Sequence, residues 1–140
     1  MYNRNMRYIV ILFTVILTSC ATAPTSQEID SANYGNYVES SKCVDLAKSY
    51  ISSLMKDPES AMFSNMTCSK GWSGEVPIFQ IKTTYGYRFK GRVNAKNSFG
   101  GYTGGAPFVG IVRDDGYGAR VIRYCLNNVG DSYCVPTMVR

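Results

Sequence analysis

Few residues of this 140-residue chain have the type and spacing that catalysis requires. The chain contains no histidine, which removes the commonest general base and every serine–histidine or cysteine–histidine nucleophile pair. Ser53-Leu54-Met55-Lys56 matches S-x-x-K of penicillin-interacting enzymes, but S-D-N and K-T-G are absent and the match closes a predicted helix instead of opening one. Asp114 and Asp115 are adjacent carboxylates, but Gly116 marks a turn there. These patterns predict a protein that is not an enzyme.

Five cysteines form the second group with chemistry of their own: Cys20, Cys43, Cys68, Cys125 and Cys134. Cys20 follows a short basic start and an apolar run over residues 8–17. Ten apolar residues are the size of a signal-peptide core, whereas a helix that spans a membrane needs roughly 20. The sequence therefore predicts export, and a retained anchor helix is disfavoured.

Leu17-Thr18-Ser19-Cys20 resembles the lipobox of bacterial lipoproteins. The resemblance implies a signal peptide over residues 1–19, cleavage before Cys20, a diacylglycerol on its sulfur and an acylated new N-terminus. The rival is an ordinary signal peptide that is cut after Ala21-Thr22-Ala23, with Pro24 unfavourably placed behind the cut. An aspartate after the cysteine often retains such lipoproteins in the inner membrane. Because Ala21 stands there, we expect a lipid anchor in the outer membrane.

The other four cysteines predict two disulfides, because an exported chain meets an oxidising compartment. Three pairings are open. The sequence favours Cys125–Cys134 across a turn signal at 127–131, which leaves Cys43–Cys68 between a helix and the first strand. No C-x-x-C spacing occurs, so we expect no metal site and no cofactor.

The predicted organisation is a lipidated tether over residues 20–35 and one domain over residues 36–140. Asn36 and Glu39 have capping-box spacing, which predicts a helix from Tyr37. Its apolar stripe is Tyr37, Val44, Ala47, Ile51 and Leu54, and it ends at Asp57-Pro58, where a single further turn is expected.

The remaining chain has the alternation of strands. We expect a short strand at 66–69, a turn at 71–74, a hairpin of 78–85 and 87–94 around Gly86, and a second hairpin of 108–113 and 119–124. The predicted fold class is α+β, with one N-terminal amphipathic helix packed on an antiparallel meander of about four or five strands.

Charge is divided unevenly along the chain. Residues 20–59 hold three lysines against six carboxylates, whereas residues 60–140 hold ten lysines and arginines against four. Arg88, Lys90 and Arg92 share one face of a predicted strand, with Lys82 expected on a neighbouring strand. Such a stripe is either a solvated face or a binding surface for an anionic partner. Tyr87 and Phe89 point the other way, so no nucleic acid is expected.

Residues 94–105 are rich in Asn and Gly. One interpretation is a recognition loop that displays Asn94, Lys96, Asn97 and Tyr102. The other is a tight hairpin whose asparagine side chains bond to their own backbone.

The chain carries two recognisable motifs, KDPESAMF at 56–63 and GRVNAKNSFGGYTG at 91–104. The chain resembles a group of small bacterial and prophage-borne exported proteins that pair KDPxSAxF with GxVNxKNxxGGYxG. The resemblance covers about residues 45–112 and implies the fold but no chemistry. The group often has a cysteine where this chain has Lys90, so the disulfides of this chain can differ in arrangement from those of the group.

The sequence therefore favours a non-catalytic, lipid-anchored envelope protein that acts in binding or assembly. Its expected partners are the membrane, through Cys20, and an envelope protein or an anionic envelope polymer. The alternative is an inhibitor or exclusion factor that blocks a wall-degrading enzyme or an incoming phage or plasmid apparatus. An enzyme without a detectable motif is the third hypothesis.

Overall fold

The computed structural model describes residues 23–75, 82–102, 104–126 and 133–134. The predicted signal peptide and Cys20 lie outside these residues. The regular elements, in chain order, are helices α1 (Ser26–Ser31) and α2 (Ser40–Ser53), a 3₁₀ turn (Pro58–Ser60), and strands β1 (Met62–Glu75), β2 (Lys82–Asn94), β3 (Ala106–Arg113), β4 (Arg120–Leu126) and β5 (Tyr133–Cys134).

The strands form one sheet with the order β4-β3-β2-β1-β5. The first four strands pair antiparallel with their sequence neighbours, which makes a meander, and β5 pairs parallel with the end of β1. One long helix packs on this sheet, so the α+β prediction is confirmed.

The core lies between α2 and one face of the sheet. Alternate residues of β2 (Tyr87, Phe89 and Val93) are buried there, whereas Lys90 and Arg92 on the opposite face are exposed. The predicted alternation over 87–94 is therefore confirmed. Burial of each large apolar side chain stabilises the fold by roughly 1.5–3 kcal/mol. The other buried members of this core are Val38, Cys43, Ala47, Ile51, Cys68, Phe108, Val112 and Val121.

Helix α2 begins three residues later than predicted. Glu39, with extended backbone, is its N-cap and makes no side-chain capping hydrogen bond. Val38 is already buried, so the chain reaches the core before the helix starts. Tyr37 is 80% exposed and Leu54 is 39% exposed, so the predicted stripe was wrong at both ends. Cys43, Ala47 and Ile51 are the residues that α2 buries.

The predicted turns at 71–74 and Gly86 were wrong, because β1 and β2 are long strands that pair with each other. Gly71 lies opposite Gly86 within this pairing. A Cβ at Gly86 would lie 2.5 Å from Ile111 Cγ2, and a Cβ at Gly71 would lie 2.9 Å from Arg88 Cβ. These glycines permit close packing instead of a change of direction. The connection between the two strands lies outside the described residues.

A bulge interrupts β1 near its start. The register with β2 shifts between Ser64 and Thr67, and Asn65 has a φ of 54°. Asparagine tolerates this left-handed conformation better than most residues.

The second predicted hairpin is confirmed as β3 and β4. Its turn depends on Asp114, whose Oδ1 accepts hydrogen bonds from the backbone N–H groups of Gly116 (2.8 Å) and Gly118 (3.2 Å). Both glycines have positive φ, at 99° and 93°. The Asp114 carboxylate therefore organises a turn.

The segment before α2 contains structure where the composition predicts a tether. Thr25 and Glu28 form a capping box that starts α1. The Tyr34 hydroxyl donates to the Ile29 carbonyl oxygen at 2.9 Å, and the Tyr34 ring meets the Tyr85 ring edge-on at 5.7 Å. This segment therefore lies against the sheet. None of the described helices has the length and hydropathy to cross a membrane.

A disulfide joins Cys43 of α2 to Cys68 of β1, as predicted. By restricting the unfolded chain, such a bond stabilises a domain by about 2–4 kcal/mol. Cys125 is also disulfide-bonded. Because the Cys134 side chain lies outside the described residues, the Cys125–Cys134 pairing stays a prediction.

Candidate functional site

The strongest candidate site is a cleft of about 420 Å³ along β1 and β2, beside α1, which we call the basic groove. It is lined by Ile29, Tyr34, Thr67, Ser69, Lys70, Gly71, Trp72, Arg88 and Lys90.

The groove is positively charged. Lys70, Arg88 and Lys90 line it, and none of its lining residues is a carboxylate. Thr67 and Ser69 add hydroxyl groups between these cations. Three cations without a facing acid attract an anion and repel other cations.

Arg88 is the most constrained of the three cations. Its side chain passes over Gly71, where even a Cβ would lie 2.9 Å from Arg88 Cβ. The Nε atom is buried and has no hydrogen-bond partner. Leaving a buried donor unpaired costs about 1–3 kcal/mol.

Two aromatic residues among the lining, Tyr34 and Trp72, lie on the α2 side of the sheet, because Trp72 pairs with Tyr85 and Tyr34 packs on Tyr85. Trp72 is half-buried, and Tyr34 is held by its hydroxyl bond to Ile29 and by the Tyr85 ring. Lys70 Nζ lies 5.5 Å from the centroid of the Tyr34 ring. Desolvation raises the pKa of the Tyr85 hydroxyl, and Glu28 and Tyr34 raise it further. Tyr85 is therefore neutral at physiological pH.

The predicted stripe of cations divides into two parts. Arg88 and Lys90 line the groove, whereas the Arg92 guanidinium donates to the Gly105 carbonyl oxygen at the base of the 94–105 hairpin. Lys82 is at the start of β2 itself and not on a neighbouring strand, so that expectation was wrong.

The 94–105 hairpin is held by its own polar groups. Asn97 Oδ1 accepts from the backbone N–H groups of Phe99 (2.9 Å) and Gly101 (3.1 Å). The Asn97 backbone N–H donates to Gly101 O, and Gly100 N–H donates to Asn97 O. The Asn97 side chain therefore does what the structural interpretation predicts. Phe99, 96% exposed, stands at the tip.

The base of this hairpin is tied to the 3₁₀ turn. The Lys96 backbone N–H donates to Ser60 Oγ at 2.9 Å, and the Tyr102 hydroxyl donates to the Ser60 carbonyl oxygen at 3.4 Å. Lys96 Nζ lies 6.0 Å from the Tyr102 ring centroid. Asn94 Oδ1 is buried without a hydrogen-bond partner. Lys96 and Tyr102 thus have structural contacts, and none of these four predicted residues lines the basic groove.

The residues of the S-x-x-K match have separate partners. Ser53 Oγ donates to the Tyr50 carbonyl oxygen at 2.6 Å, and Lys56 Nζ donates to Ser98 Oγ at 2.5 Å. Asp115 forms an ion pair with Arg113 at 2.6 Å. Within the described part of the chain, no three Cys, Asp or Glu side chains form a group that could hold a metal ion.

Sequence reasoning missed half of the groove. Thr67, Ser69, Lys70 and Trp72 all lie on β1, part of which was expected to be a turn. The available signal was Trp72, which is the single tryptophan of the chain.

Comparisons with protein-family models, with curated proteins and with solved structures give no match for this chain.

Proposed function

We propose that this chain is a lipid-anchored cell-envelope protein that acts as a non-catalytic binding module for an anionic envelope polymer. The observation that carries the proposal is the set of three cations, Lys70, Arg88 and Lys90, that line one groove with no carboxylate among its described lining residues.

Envelope polymers suit this groove because many carry repeated negative charges. The phosphates of lipopolysaccharide and the anionic groups of wall polymers are examples. A charge-assisted hydrogen bond is roughly twice as strong as a neutral one, and the guanidinium of Arg can donate two parallel bonds to one anionic group. A repeating polymer presents many such groups to one site.

The lipid on Cys20 would place the groove close to the membrane. Helix α1 begins at Ser26, so Cys20 lies only six residues before the first described helix, with five residues between them. Six residues span at most about 20 Å. Ile29 of α1 lines the groove, so an anchored protein samples polymer at the membrane surface at a high effective concentration. We place this anchor in the outer membrane.

Binding is tested with the full-length protein purified from membranes. Purified lipopolysaccharide should bind, neutral dextran should not, and the affinity should fall as salt rises because charge drives the interaction. The double variant Arg88→Gln/Lys90→Gln should lose most of the affinity. Arg120→Gln is the matched control, because Arg120 is exposed on β4, at the other edge of the sheet.

Equal binding by the double variant and the wild type would refute a role for the groove. Failure of lipopolysaccharide, an anionic wall polymer and polyphosphate to bind would refute the proposed function as a whole.

The anchor has its own test. Cys20→Ser should abolish labelling with radioactive palmitate and release the protein from membranes or leave it unprocessed. Ser19→Ala, a small-for-small change beside it, should keep both labelling and retention. Membrane retention and palmitate labelling that persist in Cys20→Ser would refute the lipid anchor.

A further inference from the structure

We infer that the domain itself lies on the membrane, through a face of tyrosine, tryptophan and lysine side chains whose partner is an anionic lipid surface. This inference rests on the lipid anchor of the proposed function and adds a second contact between the protein and the bilayer. The second contact fixes the orientation of the domain. We call this surface the aromatic face, and it comprises Tyr34, Tyr37, Lys70, Trp72 and Tyr85.

Strands β1 and β2 place their members of the aromatic face on the α2 side of the sheet. Trp72 pairs with Tyr85, and Lys70 pairs with Tyr87. Directly paired residues of antiparallel strands point to the same side. Tyr87 is buried in the core between the sheet and α2, which identifies that side. Arg88 follows Tyr87 on β2 and therefore points to the opposite side.

Two tyrosines from the segment before α2 complete this face. The Tyr34 ring meets the Tyr85 ring edge-on at 5.7 Å, and the Tyr37 ring meets the Tyr87 ring edge-on at 6.2 Å. Lys70 Nζ lies 5.5 Å from the centroid of the Tyr34 ring. These contacts hold the rings in place before a partner binds, so docking orders few side chains and loses little conformational entropy.

The chemistry of this face matches the headgroup layer of a bilayer. Tyr and Trp combine an apolar ring with a polar tip, and they are enriched where a membrane meets water. Tyr37 is 80% exposed. Lys70 is exposed too, and a lysine lays its apolar stem along lipid while its ammonium reaches anionic headgroups. The Glu28 carboxylate of α1 accepts hydrogen bonds from the Thr25 backbone and hydroxyl, so it is engaged within its own helix.

The predicted anchor lies close to this face along the chain. Five residues separate Cys20 from Ser26, where α1 begins, and six residues span at most about 20 Å. Helix α1 is joined to the face, because the Tyr34 hydroxyl donates to the Ile29 carbonyl oxygen at 2.9 Å. The anchored acyl chains therefore hold the aromatic face near the bilayer at a high effective concentration, so a weak contact is enough to dock the domain.

The test uses the emission of Trp72, which is the single tryptophan of the chain. The full-length protein purified from membranes is reconstituted into vesicles of phosphatidylcholine and phosphatidylglycerol whose acyl chains are brominated either near the headgroup or near the chain end. Flotation with the vesicles reports the anchor, and quenching of Trp72 by bromine reports docking of the domain. We expect flotation, and we expect stronger quenching by the bromines near the headgroup, because a docked Trp72 lies at the membrane interface.

Variants separate docking from anchoring. Tyr37→Ser should lower the docking equilibrium constant roughly tenfold and leave flotation unchanged, because it removes one ring from the contact. Lys70→Gln should lower it about fivefold on vesicles that contain phosphatidylglycerol and leave it unchanged on phosphatidylcholine alone. Phe99→Ser is the matched control and should dock like the wild type, because Phe99 is 96% exposed but lies in the hairpin beyond the other end of β2. An intact Cys43–Cys68 bond and an unchanged melting temperature establish that each variant is folded.

The outcomes separate this inference from the proposed function. A protein that floats with the vesicles but whose Trp72 is not quenched keeps its anchor and overturns the inference alone. Loss of quenching in Phe99→Ser and not in Tyr37→Ser would overturn it too, because the membrane contact would then lie at the hairpin. An unquenched Trp72 whose emission changes with peptidoglycan glycan chains would assign the aromatic face to a sugar and overturn the inference.

Failure of the anchor gives a different result. A protein that does not float with the vesicles refutes the lipid anchor and, with it, this inference. Polymer binding is tested independently of all these outcomes, because Arg88 and Lys90 lie on the opposite side of the sheet from the aromatic face.

Discussion

The 94–105 hairpin and the basic groove are built from similar residues, but they differ in where the polar groups find partners. In the hairpin, the Asn97 side chain accepts two backbone hydrogen bonds and the Lys96 and Tyr102 contacts end on Ser60. In the groove, Arg88 Nε is buried and unpaired. The hairpin uses the Asn97 amide to hold its own shape, whereas the groove gathers three cations with no carboxylate among its described lining residues.

This difference shows that an unusual composition does not by itself make a segment a binding site. The Asn/Gly-rich stretch is the more unusual in composition, yet its Asn97 amide oxygen accepts two hydrogen bonds within the loop. The groove lies on a strand, β1, whose sequence attracts less attention.

The largest expected effect comes from removing the bond that braces the groove. Cys43→Ser/Cys68→Ser should lower the free energy of unfolding by about 2–4 kcal/mol, measured by urea denaturation. Cys68 lies between Thr67 and Ser69 of the groove, so amide exchange should quicken there more than at Asn97. Uniform acceleration across both regions would contradict the assignment of the bond to the groove.

Arg88→Gln should separate binding from stability. The affinity for an anionic polymer should fall by about 1.4–3 kcal/mol, whereas the free energy of unfolding should not fall, because Arg88 Nε has no hydrogen-bond partner to lose. A large loss of stability would mean that Arg88 supports the fold. Lys90→Gln, at an exposed position of the same groove, is the control for charge alone.

Asn97→Ala should give the opposite result. The variant leaves two backbone N–H groups without their acceptor, so the free energy of unfolding should fall by about 1 kcal/mol, and polymer affinity should not change. Asn97→Asp keeps the acceptor oxygens and should recover most of the stability. Loss of polymer binding in Asn97→Ala, with stability retained, would restore the recognition-loop hypothesis.

The smallest expected effect is a dependence of the stability of α1 on pH. This effect should be confined to the part of the domain beside the basic groove. Hydrogen bonds from the Thr25 backbone and hydroxyl lower the pKa of Glu28 below its ordinary value of 4.5. Because the folded pKa is depressed, the stabilisation of α1 is present above pH 4.5 and is lost as the pH falls through the folded pKa. Amide exchange in α1, corrected for its intrinsic pH dependence, should therefore quicken in acid.

The hairpin supplies the contrast for that experiment, because the Asn97 amide does not titrate. Exchange at Phe99 and Gly101, corrected in the same way, should keep its protection over this pH range. Glu28→Gln should remove the pH dependence of α1. An α1 whose corrected exchange does not change between pH 6 and pH 3 would contradict the role of the Glu28 carboxylate.

Much of the fold was predictable because it depends on local patterns. The alternation over 87–94 identified the buried face of β2, and the turn signal at Asp114 located the hairpin of β3 and β4. The helix-to-strand disulfide was favoured because pairing Cys125 with Cys134 leaves Cys43 and Cys68.

The paired glycines account for most of what the sequence could not predict. Glycine serves both where the chain turns and where another group approaches closely, and the residues alone do not distinguish these uses. Gly71 and Gly86 belong to the second kind. Treating them as turns divided β1 and β2, and that error placed Trp72 in a turn instead of in the long strand β1.

The bulge at Asn65 has a consequence for many copies of this protein held side by side. Beyond Gly74 and Glu75, where β5 pairs with β1, the outer side of β1 has no neighbouring strand among the described residues. Unprotected sheet edges invite strand-to-strand association between molecules. The left-handed backbone at Asn65 interrupts the row of amide and carbonyl groups that a second molecule would have to match, which shortens the stretch of edge on which a neighbouring copy could add a strand.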